Sequence, residues 1–252
     1  MRTTNLLKVR LPLFVSLSGL LALVLLVGSL PIPAQAASPN VVISQIYGGG
    51  GNSGATYKND FVELFNRGTT PVSVTGWSVQ YASASGSAWQ ATALVGSIAP
   101  GQYYLVQEAA GTGGTVNLPT PDATGAIPMS ATGGKIALVN TSTPLTGSGC
   151  PFGASIVDFI GYDGANCSET SPAATLSNSA AAFRDRNGCV DTDNNVVDFA
   201  AGAPSPRNTA SPLANCSLPP SPQVHIHDIQ GASHISPLNT AAVFHVPGIV
   251  TA

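Results

Sequence analysis

The chain reads as an all-β protein, an antiparallel β-sandwich, on three observations. Beyond the first 37 residues no window of the 252 carries a sustained helical period of apolar residues. The apolar stretches there are short, and Gly, Pro, Asn and Ser bound them. Turn signals punctuate them at Arg67-Gly68, Ala99-Pro100-Gly101, Gly133-Gly134 and Asp163-Gly164.

The predicted strands follow in order. Residues 41–47 (VVISQIY) and 60–66 (DFVELFN) are rich in β-branched and aromatic residues. Residues 77–82, 89–94, 102–107, 135–140, 156–162 and 181–185 repeat that character between turns. So many short strands at this density predict a sandwich of immunoglobulin type. The Gly/Thr/Pro-rich stretch 109–130 reads as a surface loop.

The first 37 residues stand apart. Arg2, Lys8 and Arg10 precede an apolar run, residues 11–30, and Ala34-Gln35-Ala36 supplies small residues at a cleavage position. This is the pattern of a secretory signal peptide cleaved near Ala36; an uncleaved anchor is the alternative. The expected destination is extracellular, with no membrane contact after cleavage. The chain carries 9 Lys+Arg and 12 Asp+Glu, and three of the basic residues lie in the leader. The remainder therefore has 9 − 3 = 6 basic residues against 12 acidic ones, net −6. Six scattered cations do not neutralise a run of phosphates, so nucleic-acid binding by this chain alone is not expected.

Cys150, Cys167, Cys189 and Cys216 all follow the leader. In an exported protein they are expected as disulfides, and of the three possible connectivities the sequential one closes two short local rings, Cys150–Cys167 and Cys189–Cys216. Zinc is the competing reading, but no C-x-x-C is present.

Four motifs invite chemistry. Gly49 to Gly54 has the glycine spacing of a phosphate loop, but Ala55 stands where Lys is required and strand-like sequence follows instead of a helix. A mobile connection is expected, with Tyr47, Tyr57 and Lys58 as a contact surface. Asp191, Asp193 and Asn195 alternate like the first ligands of a calcium loop, with Asp198 as a further oxygen. The loop's Gly and twelfth-position Glu are missing, and an Asx-rich turn explains the pattern better. No cofactor is expected, with calcium the one this pattern leaves open. His225 and His227 would share a strand face, without further ligands at matching spacing. Glu63, between Phe61 and Phe65, is expected to bond a loop backbone. No catalytic residue is assigned.

Taken in order, DFVELFN, VSVTGWSV (72–79), YYLVQ (103–107), GKIALVN (134–140) and VDFIGYD (157–163) resemble the signatures of the lamin-tail domain family. The resemblance spans about residues 41–215 and implies an immunoglobulin-like sandwich acting in attachment to protein, surface, membrane or DNA, not in a reaction; the partner expected for this chain is a protein or cell-surface ligand. Residues 184–199 with PSPRN (204–208), and then IHDIQGASHISPL to GIVTA, are similar to the N-terminal portion of bacterial extracellular nucleases. There a lamin-tail domain precedes an OB-like segment and a nuclease domain of the endonuclease/exonuclease/phosphatase type. The metal-binding motifs of that catalytic domain are absent from these residues. The expected organisation is therefore a signal peptide (1–37), a lamin-tail sandwich (38–216), a Pro-rich linker (217–223) and an incomplete OB-like second domain (224–252). The expected role is a secreted, non-catalytic binding or targeting module; the alternatives are the N-terminal part of a nuclease and a calcium-dependent adhesion protein.

Overall fold

A computed structural model describes residues 40–151 and 153–216. The expected leader, Pro-rich linker and OB-like segment and all four histidines lie outside them.

The described residues form twelve strands: β1 (Val41–Tyr47), β2 (Asn59–Asn66), β3 (Val72–Ser73), β4 (Ser78–Ser83), β5 (Gln90–Ala93), β6 (Ser97–Ile98), β7 (Tyr103–Ala110), β8 (Ala123–Thr124), β9 (Gly134–Val139), β10 (Ile156–Tyr162), β11 (Ala181–Arg184) and β12 (Phe199–Gly202). They form a six-stranded sheet in the order β12-β11-β1-β2-β7-β8 and a four-stranded sheet in the order β10-β9-β4-β5, with β3 and β6 as a small ribbon. The pairings between these strands are antiparallel except β7 with β8. This is an immunoglobulin-like β-sandwich.

Strand alternation decides which side chains enter the core. Val62, Leu64, Tyr104 and Val106 point inward from the larger sheet and meet Val79, Tyr81, Ile136, Leu138 and Ile160 from the smaller one. In β1 the alternation is Val41 and Ile43, then Ile46. A register shift between Ile43 and Gln45 accounts for the change of phase.

The residues between these point outward and are buried too. Tyr47, Phe61 and Leu105 make one cluster on the outer face of the larger sheet, and Val42, Phe65 and Tyr103 make another. Ala137, Val139 and Phe159 make a third, with Trp89, outside the smaller sheet. Both outer faces are therefore covered: the larger sheet's by residues 203–216 at the Phe65–Tyr103 cluster and by Tyr57 and Leu118 at the Tyr47–Phe61 cluster, the smaller sheet's by the stretches around residues 141–150 and 163–169.

Two expectations are corrected. The stretch 109–130 is not only a surface loop: it contains β8 and sends Ile127 and Met129 into the core. The glycine run is not a mobile connection. Gly48 to Gly51 are buried. A Cβ on Gly50 would lie 1.9 Å from the backbone carbon of Asn59, so the glycines are there to let two backbones meet. Gly50 N–H donates to Asp60 Oδ1 at 2.8 Å. Tyr47 is fully buried, and its hydroxyl donates to the Asn178 carbonyl. Of the contact surface expected there, Lys58 is exposed and Tyr57 half-buried.

Candidate functional site

The densest group of ionisable side chains gathers where β10, β11 and the turn 191–198 converge. Asp158 sits in β10 and Arg184 ends β11. Both lie within apolar strand sequence and both are buried. Arg184 Nη2 donates to both Asp158 oxygens, at 2.8 and 2.7 Å. Its Nη1 donates to Asp191 Oδ1 at 2.9 Å and lies 3.5 Å from Asp198 Oδ2. Its Nε donates to the Ile43 carbonyl at 2.8 Å, and the guanidinium stacks over Phe199 at 4.5 Å. This fork geometry is what Arg offers and Lys does not.

The acids outnumber the cation, and burial acts on the surplus. Desolvation pushes the Glu169 carboxyl up to about 9, with the neighbouring Asp158 charge adding to it. Asp158 is raised by the same burial despite Arg184. Asp158, Glu169 and Asp191 each offer an oxygen within 4.8 Å of the others, a cation-like spacing in which the Arg184 guanidinium contacts Asp158 and Asp191.

The three calcium candidates have separate places in this group. Asp191 faces Arg184, with Arg67 3.7 Å from its other oxygen. Asp193 has a left-handed backbone (φ 55°), and its carbonyl accepts from Thr170 Oγ1 at 2.8 Å. Asn195 is fully buried and uses all four of its hydrogen-bonding positions. Its Oδ1 accepts from Gly161 N and Glu169 N, and its Nδ2 donates to Phe159 O and Glu169 Oε2. The carboxamide meets Phe159 O and Gly161 N, as a neighbouring strand would, and so closes the free edge of β10. Asp198 accepts from Thr192 N, Thr192 Oγ1 and Asn194 N. A calcium ion here would compete with Arg184 for Asp191 and with two N–H donors for Asn195 Oδ1.

The outer faces carry two further polar anchors. Glu63 is wholly buried and accepts from Ser44 Oγ at 2.6 Å, Arg207 N at 2.7 Å and Arg207 Nη2 at 2.8 Å. The Arg207 guanidinium lies 3.7 Å over the Tyr103 ring. Lys135, also buried, donates to Gly86 O, Gly149 O and Asn166 Oδ1 at 2.6–2.7 Å. The cysteines pair as Cys150–Cys167 and Cys189–Cys216, one disulfide in each cover.

Arg184, Asp158, Glu169, Lys135 and Arg207 were not singled out from sequence. The available signal was an isolated charge inside an apolar strand: such a residue must find a partner. Among the described residues, the exposed charged side chains are Lys58, Asp163, Asp185 and Arg186.

The model of the Lamin Tail Domain family matches residues 34–163, which is 130 of the 252 residues. The chain belongs to the lamin tail domain family. The family match ends at Asp163, so β11, the 191–198 turn and the 203–216 cover of this lamin tail domain lie beyond it. No curated protein matches the chain. Among solved structures, a DUF4876 family protein from Bacteroides thetaiotaomicron aligns with a TM-score of 0.45 and 13% identity, over 72% of this chain and 76% of that one. No helix among the described residues is long and apolar enough to cross a membrane.

Proposed function

We propose that this lamin tail domain is an exported, non-catalytic module that attaches to a protein or cell-surface ligand. The observation that carries the reading is where the charge goes. Asp158, Arg184, Glu63, Lys135 and Asp198 are buried and engaged with one another or with backbone. General acid–base or nucleophilic chemistry needs such groups within reach of a substrate. Here they hold strands and covers together. The exterior left for a ligand is rich in Ser, Thr, Asn and Gly around a doubly cross-linked sandwich. The leader and the paired cysteines support export.

The test is to incubate the purified chain with envelope fragments and, separately, with plasmid DNA and divalent metal. Saturable adsorption with intact plasmid is expected. Plasmid cleavage that tracks the purified chain would overturn the non-catalytic reading.

Residues 224–252 favour a second reading, that the chain is the N-terminal part of a secreted nuclease, because they resemble the opening of an OB-like segment. Sequencing the locus past codon 252 tests it: a nuclease domain in any frame supports the reading, and unrelated sequence removes it.

A further inference from the structure

We infer that a preformed cavity beside the Cys189–Cys216 disulfide is a binding site for a carboxylate carried on a small uncharged body. The cavity has a volume of about 310 Å³ and lies between the loop after β2, the turn before β7 and the end of the 203–216 cover. That is within the size range of small-ligand pockets.

Its walls are fixed before any ligand arrives. Asn66 Nδ2 donates to Thr70 O at 2.9 Å and Ile98 O at 2.8 Å, and its Oδ1 accepts from Gly68 N at 2.9 Å. Gly101 N–H donates to Asn66 O at 2.8 Å, and Ala214 N–H to Gly101 O at 2.9 Å. The disulfide ties Cys216, on the rim, to Cys189. Little conformational entropy remains to be lost on binding.

Arg67 supplies the charge. Its Nη1 donates to Cys189 O at 3.4 Å and lies 3.7 Å from Asp191. Its Nε and Nη2 meet no acceptor among the described residues, so two donors of the fork remain for a ligand, the arrangement that matches a carboxylate. Asp191 nearby leaves too little positive charge for a dianion, which favours a carboxylate over a phosphate. Phe65, Pro100, Leu213 and Ala214 supply apolar wall for the body of the ligand. A free short-chain acid and the C-terminal end of a peptide share this chemistry.

This deepens the binding reading above and rests on it. The test is amide and Arg Nε–H chemical-shift titration of the full exported chain with butyrate, N-acetylalanine and inorganic phosphate. Saturable shifts at Gly68, Gly101 and Arg67 are expected with the carboxylates, weakened at least about tenfold in Arg67→Gln and unchanged in Lys58→Ala. Tighter binding of butyrate assigns the free acid, and tighter binding of N-acetylalanine assigns the peptide end. Absent shifts, shifts equal in Arg67→Gln, or tighter phosphate binding would overturn the inference. Thermal melting of Arg67→Gln shows that the variant is folded; Arg67→Lys, which keeps the charge and loses the fork, serves if it is not. Envelope adsorption measured on the same variant separates the two ideas: adsorption that survives loss of carboxylate binding leaves the attachment reading standing and removes only this site.

Discussion

The two covers of the sandwich are held by opposite means. Residues 203–216 lie over the larger sheet, where Gln45 exchanges two hydrogen bonds with Ser205 and Glu63 meets its counter-charge in Arg207. The stretch around residues 141–150 lies over the smaller sheet, where Gln80 bonds Thr143 O and Leu145 N. There the buried cation Lys135 meets neutral oxygens and lies 5.8 Å from the Trp89 ring centre. Each cover has a strand glutamine that reads backbone and a disulfide that closes it. They differ in how the buried charge is satisfied, by an ion pair in one and by dipoles in the other. The comparison shows one design principle met twice: a strand side chain that faces outward does not have to be apolar if a loop returns to satisfy it.

Removing the staples has the largest expected effect. In the chain-entropy model, rings of 17 and 27 residues contribute about 3 and about 3.5 kcal/mol. Paired Cys→Ala variants of each bridge should therefore lose similar stability in urea titrations. A Cys150/Cys167 variant much more stable than the Cys189/Cys216 one would break the symmetry between the covers.

Next comes Lys135→Met, which leaves the Gly86 and Gly149 carbonyls without their donor but buries no unpaired charge. A loss of about 1–2 kcal/mol is expected. A loss as large as that of a staple would mean that the ammonium does more than satisfy three oxygens.

The covers should also respond oppositely to pH. Burial raises the Glu63 carboxyl above its ordinary 4.5. The folded state then keeps a proton that the unfolded chain has released, and stability contributed by this group falls as pH rises from about 4.5 through the folded value. Burial lowers the Lys135 amine below its ordinary 10.5. The unfolded chain then binds the extra proton, and stability rises as pH climbs through the folded value towards 10.5. Unfolding free energies of Glu63→Gln and Lys135→Met, each against wild type across pH, check this: the differences should slope in opposite directions. The smallest effect is Lys58→Ala, a surface change expected within about 0.5 kcal/mol and without consequence for nucleotide affinity.

The sandwich itself was legible because β2, β9 and β10 are apolar runs with clear boundaries. β12 was not, because Phe-Ala-Ala-Gly has little strand character and is a strand only by pairing with β11. The covers were hidden for a different reason. Gln45 and Ser205 are 160 residues apart, and no local pattern links a side chain to a carbonyl that distant. The turn at Asp191, Asp193 and Asn195 was visible as a polar alternation. Its role was not, since it depends on Arg184 and on the open edge of β10. The glycine run misled because glycine signals both freedom and close approach, and only the neighbour of Gly50, the Asn59 backbone, decides which.

The central claim is that the buried charges of this lamin tail domain hold its strands and covers in place. A double-mutant cycle on Glu63 and Arg207 tests it most directly. Arg207→Ala alone strands a buried carboxylate and should cost about 3 kcal/mol, while Glu63→Gln with Arg207→Ala should recover much of that, giving a coupling energy of about 2 kcal/mol. Additive losses would contradict the account, because the two side chains would then act on stability independently.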